Sequence, residues 1–504
     1  MMAIHNTPTM PSLTTLLAGI SDVPATANRQ ISGMELDSRR IRQGGLFVAL
    51  EGSRTSGARF MHEAIANGAA AILVDSSINL EPSFLQVPVC KIPDLQANTG
   101  LIASRFYAHP SHDLRVTGIT GTNGKTSTAW YLGQTLSADS SGAVGIIGTL
   151  GYGVFGDLTT SANTTPDAIS VQRILDQFRS SHVSDVAMEV SSHALDQGRV
   201  NGVLFDTAVF TNLSRDHLDY HTDMAAYANA KKKLFMSAGL KHAVINANDE
   251  FGARLIAEFC GQVNTVSYGL YDSVNVRQVP AMVEGRIKRQ DLNALLLEIN
   301  SPWGRGELYA RLTGKFNVWN LLAALSVLCL HGVTFETALE RLSRVQGVPG
   351  RMEYFGNANS PAIIVDYSHT PDALEQALNS LRGHCRGKLV CVFGCGGDRD
   401  RGKRSQMGRI AESGADRVIL TSDNPRSEMP GDIIDDIKKG MSGLVPVEVY
   451  TDREMAITTA ITTSNPDDVV LIAGKGHETS QEIRGIKLNF SDRDMVRTML
   501  EQTV

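Results

Sequence analysis

Short apolar runs alternate with stretches of helical spacing along almost the whole of this chain, and that alternation limits the folds open to it. A run of four to eight apolar residues bounded by turn signals reads as a buried strand. Strands that alternate with helices build a mostly parallel sheet covered on both faces. Such runs fall at 46–50 and 69–75, with helical spacing over 61–67 between them. A second group lies at 114–119, 143–148, 186–190, 207–210 and 243–246, followed by an almost wholly apolar helical stretch at 318–330 that should be buried. A third group lies at 362–366, 388–393, 417–420 and 469–473. At 504 residues the chain exceeds what one hydrophobic core serves. The grouping predicts an α/β fold in three domains: a small N-terminal α/β domain over 1–112, a central phosphate-loop domain with a mostly parallel sheet over 113–347, and a C-terminal doubly wound, Rossmann-like domain over 348–504. The polar, proline-containing stretch 107–112 is expected to be a linker.

Charge and cysteine usage remove several classes of function. Lysine and arginine total 47 against 53 acidic residues, so a basic face for nucleic acid or an anionic membrane is not expected. A local basic pocket for a phosphorylated ligand remains open. The hydrophobic share of 42% and charged share of 20% belong to a globular chain and not a disordered one. The six cysteines, at 90, 260, 329, 385, 391 and 395, lack a framework spacing, and no second pair completes a zinc site beside Cys391 and Cys395. They read as reduced thiols. No apolar run of about 18 residues occurs, and the start of the chain carries no apolar stretch flanked by basic residues. A cytoplasmic protein is expected.

The strongest local signal is Thr120-Gly121-Thr122-Asn123-Gly124-Lys125-Thr126-Ser127, placed between a predicted strand and a helix. Glycines let the backbone curl until its N–H groups face a polyphosphate, and the helix N-terminus adds positive potential. Lys125 would neutralise the outer phosphates, and the Thr126 hydroxyl would hold magnesium. The strict phosphate-loop pattern wants glycine five positions before Gly124, where this chain has Ile119. A glycine-rich turn without ligand is the alternative, and the strand–loop–helix setting disfavours it.

Gly-Thr-Asn-Gly-Lys-Thr resembles the nucleotide loop of the Mur ligases and the related folylpolyglutamate synthetases, which share that departure. The resemblance implies a three-domain ligase, with the N-terminal domain for the UDP-linked substrate, the central one for ATP and the third for the amino acid. It assigns Gly121, Thr122, Asn123, Gly124, Lys125, Thr126 and Ser127 to ATP, and Glu189 and His217, with Thr126, to magnesium, two ions being expected. Lys231, Lys232 and Lys233 read first as a solvated helix face. Yet Met224, Ala228, Lys231 and Phe235 recur at intervals of four, three and four, which puts Lys231 on an apolar stripe. A buried ammonium there is costly without a partner or a chemical change. In similar Mur ligases the matching lysine is carbamylated, becoming an anion that can hold the second magnesium, and the same modification is expected of Lys231.

The resemblance extends to the other substrates. Leu36 and Ser38, with Ser53, Arg54 and Thr55, match the uridine-diphosphate region; read without the family they are surface loops. Asn163, Thr164 and Thr165, with Ser191, Gln197 and Arg199, resemble the muramoyl-dipeptide site, where Arg199 offers a fixed fork for a carboxylate. Asn317 and Asn320 match the adenine side, and Arg351, Asp366 and His369 would approach ATP from the third domain. Asp423-Asn424-Pro425-Arg426 resembles the motif by which diaminopimelate-adding members recognise the distal centre of the incoming amino acid. Arg426 can pair bidentately with a carboxylate that lysine lacks. Arg399, Gly474 and Glu478 resemble the rest of that pocket.

The implied reaction is attack of the D-glutamate carboxylate of UDP-N-acetylmuramoyl-L-alanyl-D-glutamate on the γ-phosphate of ATP, then of the amine of meso-diaminopimelate on the acyl phosphate, in peptidoglycan synthesis. Lys125, Glu189, His217 and Lys231 are the expected catalytic set, and the enzyme is expected to be a monomer. Three alternatives stay open at this point: the same reaction with L-lysine, a folate-polyglutamylating ligase, and a nucleotide-binding scaffold without catalysis.

Overall fold

The computed structural model describes residues 10–502 apart from 53–54, 80–85, 139–141, 162, 219, 272–278 and 357–359. Three separate α/β layers follow one another along the chain. The first is a parallel four-stranded sheet in the order Gly33–Glu35, Gly45–Ala49, Ala69–Asp75, Val89–Ile92. Its middle strands are apolar on both sides because helices cover both faces, and Leu46, Phe47 and Val48 are all within 1% of full burial.

The central sheet has eleven strands. From one edge the order is Gly304–Ala310, Ala294–Ser301, Val283–Asp291, Asn264–Leu270, His242–Asn246, Thr207–Phe210, Arg115–Thr120, Val183–Glu189, Ala143–Gly148, Gly151–Val154 and Asp157–Thr159. Its middle is parallel, as the strand–helix alternation predicts. Both flanks are antiparallel: a meander from Val283 to Ala310, and a short pair after Gly148. Helix Asn317–Leu330 lies in the core with nearly every residue buried. Its lack of a polar face follows from being enclosed on all sides.

The third sheet runs Glu353–Phe355, Ala362–Asp366, Val469–Ala473, Leu389–Phe393, Arg417–Leu420, Val447–Val449, parallel except for its first strand. Each predicted strand of the three groups is present within a few residues of its expected bounds.

The expected linker differs from expectation. Helix Leu95–Phe106 ends at its start, and Pro110–Asp113 forms a short 3-10 turn in which Pro110 and Ser111 are buried. Arg179 donates to the carbonyls of Tyr107 and Ala108 at 3.0 Å each, which ties the stretch to the central layer. Arg173 adds a second tie, donating to Glu35 at 2.8 Å and to the Tyr107 hydroxyl at 3.0 Å. A polar run with a proline is also what a packed corner looks like when its partners are arginines far along the chain.

Candidate active site

Three neighbouring parallel strands decide where the chemistry sits. Arg115–Thr120 is flanked by Thr207–Phe210 and Val183–Glu189, with Thr120 level with Phe210 and Ile119 level with Glu189. Their C-terminal ends converge, so loops 120–124, 190–191 and 211–223 meet at the crevice where such sheets bind ligands.

The loop after Thr120 is shaped by close backbone approach. A Cβ on Gly121, whose φ is +147°, would lie 1.8 Å from the Thr211 hydroxyl, and one on Gly124, at φ +85°, would lie 2.5 Å from Asn320 Oδ1. No other residue fits either place. The neighbouring strand end clamps the loop: Thr122 N donates to Asn212 O at 2.8 Å, Asn123 N to Asn212 Oδ1 at 2.9 Å, and Thr211 Oγ1 to Asn123 O at 2.6 Å. Lys125 opens helix Lys125–Leu136 and donates to the carbonyls of Gly121 and Thr122 at 2.8 and 2.7 Å. Burial lowers its pKa, and the Glu189 and Asp216 carboxylates partly restore it. The ammonium thus stands at the mouth of a loop whose glycines leave the backbone bare.

Glu189 is 2% exposed. Its carboxylate accepts from Thr126 Oγ1 at 2.9 Å, Thr149 N at 2.8 Å and Thr149 Oγ1 at 3.2 Å. Among the described residues no three His, Cys, Asp or Glu side chains are grouped as metal ligands. The adjoining Thr126 and Glu189 oxygens still suit magnesium, a hard cation that keeps waters and takes few protein ligands beside substrate phosphates. His217 is exposed, at φ +55°, and lies edge-on to His193 with ring centroids 4.8 Å apart.

Lys231 projects from helix Met224–Lys232, which Asp223 caps by accepting from Ala226 N at 2.7 Å. The lysine is 1% exposed. Its Nζ donates to Gly121 O at 2.9 Å and lies 4.3 Å from the centre of the Tyr227 ring. Burial first, then the like charge of Lys125, push its pKa well below the usual lysine value. The amine therefore favours its neutral, nucleophilic form. That observation fits a side chain poised to add carbon dioxide and become a carbamate, as a freely solvated lysine would not be.

Of the two asparagines expected on the adenine side, Asn320 turns its Oδ1 toward Gly124. Asn317 faces inward: its Oδ1 accepts from the Tyr131 hydroxyl at 2.9 Å and Asn320 Nδ2 at 3.1 Å, and its Nδ2 donates to Thr313 O at 2.8 Å. Its observed part is a brace for helix Asn317–Leu330. Asp366 is a brace too, accepting from Met352 N at 2.7 Å and from Ser368. Arg351 stacks 4.4 Å over the Tyr367 ring, and His369 Nδ1 lies 3.0 Å from Tyr367 O. Burial lowers the His369 pKa, with Lys403 adding to it. The third layer reaches the loop through Asp372, which lies 3.4 Å from Asn123 Nδ2 and 3.3 Å from Ser214 Oγ.

In the peptide region, Arg199 forks onto Gln197 Oε1 at 2.8 and 2.6 Å and donates to Thr165 O at 3.0 Å. Thr165 in turn donates to the Glu189 main-chain carbonyl at 2.8 Å, which ties this region to the end of the strand that carries the carboxylate. Ser191 caps helix Ser192–Asp196, Thr164 meets Thr149 at 3.1 Å, and Asn163 is exposed. In the first layer Ser38 is buried and donates to Glu63, Leu36 is half-buried and Thr55 is exposed. Ser53 and Arg54 lie outside the described residues.

The third layer carries a second cluster at its strand ends. Asn424 Nδ2 donates to Glu478 Oε2 at 2.8 Å, and the wholly buried Lys475 donates to the same Glu478 oxygen at 2.8 Å and to Asn424 Oδ1 at 3.1 Å. Gly474, at φ +114°, lets Asp423 approach, for a Cβ would lie 2.6 Å from its Oδ2. Arg426 donates to Gly397 O at 2.7 Å and lies 3.4 Å from Glu482. Arg399 is exposed and borders Gly396 together with Arg426: a Cβ there would meet Arg426 Nη1 at 3.0 Å and Arg399 Cγ at 3.6 Å. Glu428 joins the two loops, accepting from Asp398 N at 2.7 Å and from the buried Arg404, which holds its carboxyl down at about 2. Thr149, Tyr227, Asp372, Lys475, Glu428 and Glu482 were not singled out by sequence reasoning. Lys475 lies between Gly474 and Glu478, both of which the sequence resemblance places in the amino-acid pocket.

A phosphate loop, a buried carboxylate beside it and a second polar cluster on a separate doubly wound sheet define a nucleotide-using enzyme with a distinct pocket for another reactant. Family comparison gives the class. The Mur ligase family catalytic-domain model matches residues 30–107, the Mur ligase middle-domain model 119–328, and the Mur ligase glutamate ligase domain model 350–476. The chain belongs to the Mur ligase family. It is 46% identical over 476 residues to the UDP-N-acetylmuramoyl-L-alanyl-D-glutamate–2,6-diaminopimelate ligase of Coxiella burnetii, covering 94% of this chain and 96% of that one. It is 47% identical over 467 residues to the same-named ligase of Chromobacterium violaceum, covering 92% of each. A solved structure of a ligase of that name superposes with a TM-score of 0.70 at 34% identity, covering 98% of this chain and 99% of the other.

Proposed function

We propose that this chain is an ATP-dependent ligase that joins meso-2,6-diaminopimelate to the D-glutamate of UDP-N-acetylmuramoyl-L-alanyl-D-glutamate. The names of relatives that align end to end support it, and so does the chemistry of the two clusters. The loop N–H groups and Lys125 bind the polyphosphate of ATP. The γ-phosphate passes to the D-glutamate carboxylate, and the amine of diaminopimelate then displaces phosphate from the acyl phosphate. Magnesium, when bound through Thr126 and Glu189, supplies charge neutralisation on the transferring phosphoryl group. Thr149 fixes the Glu189 carboxylate by two bonds, and Thr165 links the Glu189 main-chain carbonyl to the Arg199 wall that would hold the dipeptide. His217 and a carbamylated Lys231 would serve a second ion. The 1–112 segment would hold the uridine diphosphate, 113–347 the ATP, and 348–504 the amino acid. Among the described residues no helix is long and apolar enough to cross a membrane, and the six cysteines are free thiols. With ATP as co-substrate, we assign the reaction to the cytoplasm.

The observation that carries the choice of amino acid is the pairing of Arg426 with the Asn424–Lys475–Glu478 cluster: a guanidinium for a carboxylate beside an acid for an ammonium. A distal centre with both charges meets both groups; lysine brings no carboxylate to the guanidinium. The test is ADP release and product mass with the muramoyl-dipeptide and ATP, with diaminopimelate, with L-lysine, or with neither. Tripeptide is expected with diaminopimelate alone, and Arg426→Ala should lower kcat/KM for it by about 30-fold, the scale of one lost charge-assisted contact. Equal turnover of lysine and diaminopimelate by the unmodified chain would overturn the assignment.

A further inference from the structure

We propose that Glu482 is a specificity-determining residue: a placeholder counter-ion that occupies the Arg426 guanidinium and yields to the distal carboxylate of the incoming amino acid. This rests on the function proposed above. The geometry starts from the hairpin Ser480–Ile483 and Ile486–Asn489. Its first strand is stitched to the Arg426 loop by the backbone: Arg426 N donates to Glu482 O at 3.0 Å, and Arg484 N to Arg426 O at 2.7 Å. Arg426 itself sits at φ +50°, a conformation such pairing must hold in place. Glu482 N donates to Asn424 Oδ1 at 2.9 Å, the oxygen that also accepts from Lys475. The hairpin is therefore a wall of the amino-acid cluster, and Glu482 is its residue at the guanidinium.

The guanidinium has two edges able to take a carboxylate bidentately. One, Nη1 with Nη2, is half engaged because Nη1 donates to Gly397 O at 2.7 Å. The other, Nε with Nη2, faces Glu482, whose Oε2 lies 3.4 Å from Nε. The carbonyl contact is short and made by a fixed backbone. The carboxylate contact is long, and both side chains keep partial exposure, 24% and 32%. The Nε–Nη2 edge is the one that opens, and Glu482 competes for it with an incoming carboxylate. It also gives Arg426 a partner when an amino acid without a distal carboxylate occupies the cluster, which softens the penalty for the wrong substrate.

The sign of the effect separates this role from a structural one. Glu482→Gln should lower KM for diaminopimelate by about 2- to 5-fold, the scale of one half-exposed charge pair. The kcat/KM ratio of diaminopimelate over L-lysine should rise by a similar factor. Glu482→Asp, which withdraws the carboxylate while keeping its charge, should fall between. A damaged hairpin would raise KM instead. Should the unmodified chain form no tripeptide with diaminopimelate, the proposed function fails, and this inference with it. Should it do so while both variants leave KM and the ratio unchanged, or raise KM, the role of Glu482 alone is overturned.

Discussion

Lys231 in the central layer and Lys475 in the third are enclosed to the same degree, at 1% and 0% exposure, yet their surroundings are opposite. Lys475 has an anion in contact, Glu478 at 2.8 Å, and an amide oxygen at 3.1 Å. Lys231 has one backbone carbonyl, an aromatic face and a second lysine nearby. A buried charge persists where it is paired and hydrogen-bonded, and is given up or chemically altered where it is not. The first arrangement builds a rigid charged wall, suited to recognising a zwitterion. The second shifts an amine toward its neutral form, suited to carbamylation. The two sites teach that burial alone does not tell what a lysine is for; the acceptor set does.

Replacing each lysine by methionine, which keeps much of the volume, is the sharpest way to break the contrast. Lys231→Met should lower kcat on the order of 10²- to 10³-fold, the scale of losing one preorganised charge-stabilising group, while the fold is retained. Activity of the unmodified protein should also drop in carbon-dioxide-depleted buffer and return with bicarbonate. Activity within a few-fold of the parent would mean that Lys231 is only a core residue.

Lys475→Met should act the other way, chiefly on binding and stability. It takes the ammonium away from the Glu478 carboxylate, which keeps Asn424 Nδ2, and removes one of two donors from Asn424 Oδ1, which keeps Glu482 N. Loss of one partner from a fully buried pair costs about 3–5 kcal/mol. Because Glu478 is 30% exposed, water screens part of that, and about 1–3 kcal/mol is expected here. KM for diaminopimelate should rise about 10-fold, with less change in KM for ATP. Adding Glu478→Gln removes the orphaned charge, so the double variant should be more stable than Lys475→Met alone. Strict additivity in chemical or thermal unfolding would show that the two side chains are not coupled.

Much of this contrast was open to reading in one dimension, and the remainder was not, for a physical reason. The stripe Met224, Ala228, Lys231, Phe235 separates Lys231 from Lys232 because helical period and burial are local properties. The phosphate loop is likewise a contiguous segment whose glycines declare a backbone shape. Lys475 lies in a segment without periodicity, and although Glu478 is three residues away, its other partner, Asn424, is 51 residues earlier, so spacing gives no clue to its enclosure. Thr149 on Glu189 and Glu482 on Arg426 are of the same kind: each is defined by a strand end or hairpin edge meeting another. The antiparallel meander Val283–Ala310 gives no continuous apolar run beyond 294–297, because its strands largely alternate buried and more exposed residues. The 107–112 corner has the composition of a linker, and its anchors, Arg173 and Arg179, lie on a later helix.

The smallest expected effect is the most specific to Lys231, since it reads the proton itself. Its pKa in the fold lies well below the usual lysine value because of burial. Between those two values the unfolded chain carries a proton that the folded chain does not, so stability rises with pH across that window. Lys231→Met removes the group from both states and hence the rise. In carbon-dioxide-depleted buffer the variant should therefore melt above the parent at pH 7, by about 2 °C or more. The gap should narrow as pH climbs toward the unfolded lysine value, where neither state of the parent is protonated. Thermal midpoints of both proteins at pH 7 and pH 9.5 measure this directly. A gap of equal size at the two pH values would mean that folding displaces no proton from position 231, and that the amine beside Gly121 is an ordinary ammonium after all.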